Sequence, residues 1–191
     1  MNRKFKIKLS VISLMVFIIA VSGYSSGRLQ SSASPVDTDD RILSGLSKYR
    51  TWTLVNPVPV KMEPAVAQLC AAVLAANPHR DKFVSVYVNE TGRQAMMTQL
   101  HPEFPLGSVI VKEKLSDKDS QSPELLTAMI KREKGYNPES GDWEYLVLDG
   151  SASKISKRGK LANCSSCHAA YDKSDYVTRT YLSDEARRRL K

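Results

Sequence analysis

Apolar positions along the chain recur at two periods, and the change from one to the other divides it into elements. Arg41–Tyr49 reads as a short helix and Thr51–Val55 as an extended segment. Over Met62–Ala76, Ala, Val, Leu and Cys fall at helical spacing until Asn77-Pro78 stops the helix. Phe83–Asn89 alternates instead, with Val84, Val86 and Val88 on one face, and Glu90–Leu100 follows as a helix. Ser108–Lys114 is a β-branched strand entered through Pro105-Leu106-Gly107. Leu125–Glu133 is ambiguous on propensity, but its neighbours favour a strand. Trp143–Asp149 is a further strand, preceded by the turn-rich Gly135-Tyr136-Asn137-Pro138-Glu139-Ser140-Gly141. Helices first and then successive strands joined by turns predict an α+β domain, a mainly antiparallel β-sheet with flanking helices. Parallel βαβ winding would need more crossover helices than the last hundred or so residues supply.

The N-terminus has a different pattern. Met1 to Lys8 is basic, and Val11 to Val21 is an apolar run of eleven residues broken only by Ser13. The run is too short for a transmembrane helix of ~20 residues but suits the hydrophobic region of a secretory leader. No cysteine follows it, which excludes a lipoprotein signal, and Val21-Ser22-Gly23 is the nearest small-residue exit. Residues 1–24 are therefore expected to be a signal peptide or, uncleaved, an N-terminal membrane tether. Residues 25–40 have the composition of a Ser/Asp-rich linker, and the folded domain is expected over residues 41–191.

Charge adds little beyond this. The net charge of +8 is half accounted for by Arg3, Lys4, Lys6 and Lys8, and the C-terminal Arg187-Arg188-Arg189-Leu190-Lys191 cluster supplies more. The folded part has no basic stripe interleaved with aromatics, so no nucleic-acid partner is expected.

The chemistry is concentrated in Cys164-Ser165-Ser166-Cys167-His168, a C-x-x-C-H sequence that signals attachment of c-type haem. On a helical turn the two sulfurs share a face and can form thioethers to the two vinyl groups of a porphyrin. His168 then lies under the ring, where its imidazole can bind iron. The expected cofactor is one covalent heme c per chain, bound by Cys164, Cys167 and His168, with His168 as the metal ligand. A structural zinc site would need four ligands, and the spare Cys70, His79 and His101 have unsuitable spacing. A thioredoxin-like pair would sit early, before a long helix. A plain disulfide is the remaining alternative. Cys70 reads as a small buried thiol, and His79 and His101, beside prolines, as surface residues. Met62, Met96, Met97 and Met129 read as core residues, and no sixth iron ligand follows from the sequence.

Placing this motif after a run of strands, where most c-type cytochromes carry it near the N-terminus, the chain resembles the cytochrome P-460 family, which includes the related cytochromes c′-beta. The resemblance runs from Arg41 to Leu182 through Tyr49-Arg50-Thr51-Trp52, Val86-Tyr87-Val88, Gly107-Ser108-Val109-Ile110-Val111-Lys112-Glu113 and Gly141-Asp142-Trp143-Glu144-Tyr145. It continues through the haem motif to Lys173-Ser174-Asp175 and Thr178-Arg179. It implies a homodimeric periplasmic protein with five-coordinate haem, tethered to the inner membrane only if the leader stays. It also implies oxidation of hydroxylamine or nitric oxide, with Lys112 bonded to the haem edge as a catalytic feature. The c′-beta alternative lacks that bond and binds nitric oxide or carbon monoxide; a third is a periplasmic electron carrier serving a redox partner. On the residues alone Lys112 reads as a strand-end surface lysine, although Ile110, Lys112 and Lys114 share one face of their strand. The hydroxylamine-oxidising relatives are thought to use a carboxylate in the stretch before the motif. Gly150 to Asn163 holds no acid but carries Lys154, Lys157, Arg158 and Lys160, read as a solvated loop or as partners of the haem propionates.

Overall fold

A computed structural model describes residues 37–62 and 81–191 of the chain; the expected leader, residues 25–36 of the expected linker, all but Met62 of the helix expected over Met62–Ala76, Cys70 and His79 lie outside the described residues. Its centre is a seven-stranded antiparallel sheet. Two short strands, β1 (Thr53–Leu54) and β2 (Val60–Lys61), pair with opposite ends of β3 (Phe83–Val88). From β3 the sheet continues in chain order through β4 (Val109–Leu115), β5 (Leu125–Lys131), β6 (Trp143–Asp149) and β7 (Ile155–Gly159). The fold is α+β, as the order of periodicities predicts, and the ambiguous Leu125 segment is a strand between two others.

Alternation along the strands builds two faces. On one, Val84, Val86, Val88, Ile110, Met129, Trp143 and Tyr145 pack with Met96, Phe104, Val177 and Tyr181. On the other, Val111, Leu126, Ala128, Leu146 and Leu148 pack under Ile42 and Leu46 of α1 (Asp39–Leu46). Helix α1 starts two residues before the expected Arg41, because the Thr38 side chain accepts from the Arg41 N–H and two aspartates occupy the first turn. Helix α2 (Glu90–Met97) is capped by Asn89, whose side chain accepts from the Gly92 N–H, and it stops at Thr98 rather than Leu100.

Three further elements escape periodicity. Strand β2 is two residues long, and α4 (Asp184–Arg188) is a short helix that absorbs part of the basic C-terminal cluster. The third corrects an expectation. Within the stretch read as a solvated loop, Ile155-Ser156-Lys157-Arg158-Gly159 is the edge strand β7. Its one apolar residue leaves no alternation to detect, and polar edges are what keep sheets from pairing with one another.

Candidate haem site

The C-x-x-C-H motif forms helix α3 (Ala162–His168), which puts Cys164 and Cys167 one turn apart. Both sulfurs and His168 line a cavity of about 420 Å³ against the first face of the sheet. Most of its wall is apolar, from Met62, Val86, Ile110, Met129, Val147 and Val177. Size and lining suit a largely apolar cofactor. Two cysteine sulfurs and an imidazole from one helix, facing a wall of this kind, fit the donor set of haem c. Cys164 is a free thiol.

The imidazole is oriented by the chain beyond it. His168 Nδ1 lies 2.7 Å from the carbonyl oxygen of Tyr176. A carbonyl can only accept, so Nδ1 carries the proton and Nε2 is left as the basic nitrogen. Burial, reinforced by the charge of Lys112, holds the His168 pKa down to about 4, so the ring is neutral and able to bind a metal at pH 7. Tyr145 and Tyr171 flank it, with ring centroids 5.3 and 6.5 Å from the imidazole.

The carbonyl is placed by backbone that resists this shape. Asp175 and Tyr176 are both left-handed, with φ of 53° and 61°. Lys131 Nζ donates to the Asp175 carboxylate at 2.6 Å, the Phe104 N–H donates to it at 2.9 Å, and Trp143 Nε1–H donates to the Asp175 carbonyl at 2.8 Å. Gly141 lets this turn approach: a Cβ there would lie 2.6 Å from the Tyr176 ring. Such strain persists only where the surroundings over-determine it. In the sequence Asp175 stands out only within the family resemblance, and Tyr176 does not stand out at all. A His followed at some distance by an Asp-Tyr pair is too weak a signal to have pointed to it.

Lys112 is not at a strand end. It is the fourth residue of seven in β4, faces the cavity, and holds its ammonium 4.8 Å from the centroid of the Tyr181 ring. Burial lowers its pKa to about 8. Lys114, on the same face, is 1% exposed and is pushed well below the ordinary lysine value, again by burial first. The Cys164 thiol is raised by burial and drawn back by the charges of Lys157, Lys112 and Lys114, so three amines act on one sulfur.

The other expected residues separate. Met62 and Met129 are buried in the core and also line the cavity; Met96 is buried away from it, and His101 is exposed. Of the four cations before the motif, only Lys157 lines the cavity. Arg158 instead pairs with Glu144 and Asp39, at 2.9 and 2.6 Å, and the Lys160 ammonium sits 5.3 Å from the Tyr136 ring centroid.

Among the described residues, no helix is long and apolar enough to cross a membrane. No curated protein matches the chain. The family model for cytochrome P460 does match it, over residues 47–179, a span that holds the sheet, the cavity wall except Tyr181 and the whole C-x-x-C-H helix, and the chain therefore belongs to the cytochrome P460 family of c-type haem proteins.

Proposed function

We propose that the chain is an exported, periplasmic haem protein with one haem c, thioether-linked through Cys164 and Cys167. His168 would bind its iron as the one protein ligand, leaving the iron able to take a small molecule. The observation that carries this is the hydrogen bond from His168 to Tyr176, which commits Nδ1 and leaves Nε2 for a metal beside both sulfurs. Bound there, haem supplies an iron that takes a small ligand and exchanges electrons with it. The chain's own part is to fix the ring with two covalent links, orient the imidazole, and keep bulk water from the apolar wall.

The reaction proposed is oxidation of hydroxylamine or nitric oxide, as in cytochrome P-460. Lys112 supports it. With a pKa of about 8, roughly a tenth of its amine is neutral at pH 7, the form able to bond to a ring carbon. That bond replaces one N–H and one ring C–H and releases two electrons, so an oxidant such as a peroxide must accept them. A second reading, binding of nitric oxide or carbon monoxide without turnover, is favoured by one observation. Among the described residues no Asp or Glu lines the cavity, so no carboxylate stands ready to accept the protons that hydroxylamine oxidation releases.

The test uses chain matured with a c-type assembly system. Its intact mass should exceed the polypeptide by one haem, and loss of all haem in acid–acetone would overturn covalent attachment. Native and Lys112→Ala spectra then separate the readings. A displaced Soret band that becomes ordinary in the variant supports the enzyme. Identical ordinary high-spin spectra support gas binding, and a low-spin six-coordinate centre supports an electron carrier.

A further inference from the structure

The pairing of β6 with β7 contains one irregularity, and it decides which way Lys157 faces. Leu148 pairs with Ile155, but Val147 pairs with Lys157, so Ser156 is an extra residue in the ladder. Its hydroxyl donates to the Val147 carbonyl at 3.0 Å. Without this bulge Val147 would face Ser156, and Lys157 would fall opposite Leu146, on the face covered by α1. The bulge turns Lys157 to the cavity, and by the same slip sends Arg158 to Glu144 on the far face. Bulges beside functional sites characteristically re-aim a side chain in this way.

The register then places Lys157 at the end of a continuous row. Val86, Lys112, Thr127, Val147 and Lys157 are successive cross-strand partners from β3 to β7, and all five line the cavity. At about 4.8 Å per strand, Lys112 and Lys157 stand roughly 14 Å apart along the row, on opposite sides of the site. Lys112 lies inside, over Tyr181. Lys157 is exposed on the edge strand, at the cavity mouth. It has no carboxylate partner among the described residues, unlike Arg158 beside it. A lysine can lay its stem along an apolar wall and keep its charge at the wet end, where an anionic group would meet it.

We infer that Lys157 is an anion-holding arm at the mouth of the cavity, taking a carboxylate or small oxyanion. This rests on the haem reading, and the anion has two sources: a propionate of the haem itself, or a free anion such as nitrite entering beside the iron. Haem-matured native protein, Lys157→Met and Lys157→Arg are compared, with haem content by mass measured first. Nitrite is titrated into the ferric form, carbon monoxide into the ferrous form as an uncharged control, and the reduction potential is recorded. A free-anion arm predicts nitrite binding weakened about fivefold in Lys157→Met, recovered in Lys157→Arg, and erased by high salt, with carbon monoxide unmoved. A propionate arm predicts unchanged nitrite binding and a lower potential in Lys157→Met, because loss of a nearby cation favours the ferric state. Haem-bearing Lys157→Met with native affinity and native potential overturns the arm alone. Native chain without covalent haem overturns the haem reading, and the arm with it.

Discussion

The two faces of the sheet bury charge in opposite ways. On the face under α1 the buried charges are acids, and each is closed off. Glu113, 3% exposed, accepts from the Tyr49 hydroxyl at 2.6 Å and from Arg50 Nε at 2.7 Å. Glu144, also 3% exposed, is held by Arg132 and Arg158, which reach on to Asp37 and Asp39. On the cavity face the charges are lysines, and Lys112 meets an aromatic ring rather than a carboxylate. Neighbours in one strand thus have opposite roles. A fully satisfied buried acid fixes structure, whereas an ammonium held at a cavity wall is positioned for chemistry.

Glu144→Gln should break the comparison most severely. It removes the carboxylate that two arginines share in a mostly buried site, leaving them only Asp37 and Asp39 nearer the surface, and the expected loss is about 3 kcal/mol in urea-induced unfolding. A loss no larger than that of an exposed Glu→Gln change would mean that the buried acid of the far face does not hold the structure together.

An effect no larger than that is expected from pH in the haem-free chain. The folded pKa of His168, about 4, lies below its ordinary value, so the unfolded chain takes up its proton first as the medium is acidified. Its contribution to stability is complete above about pH 6.5 and is lost as pH falls from there toward 4. His168→Phe should flatten that part of the profile of unfolding midpoint against pH, and an unchanged slope would place the imidazole outside the buried site.

The smallest effect on stability, and a diagnostic one, belongs to Lys112→Met. Replacing a half-buried ammonium by an apolar chain of similar length should leave the unfolding free energy unchanged or raise it by up to about 1 kcal/mol. Its consequences should appear in the haem spectrum instead. Destabilisation comparable to that of Glu144→Gln would erase the contrast between the faces.

Much of this was legible in the sequence because it depends on neighbours in the chain. The spacing of Cys164, Cys167 and His168 implies a helical turn and a haem-binding set, and alternation puts Ile110, Lys112 and Lys114 on one side of β4 whatever surrounds them. Strands with apolar alternation were recognisable for the same reason; β7 was not, because its residues are chosen for an edge and not for a core. What only the tertiary structure decided is which side of each strand meets what. Tyr176 becomes the acceptor for His168 through a left-handed turn held by Lys131, Phe104 and Trp143. Lys112 becomes a cavity residue only when α3 and Tyr181 close over β4, and Lys157 only through a one-residue bulge against β6. The local pattern sets a side chain's period. Its partners come from distant segments, and a single-residue shift of register is enough to exchange one face for the other.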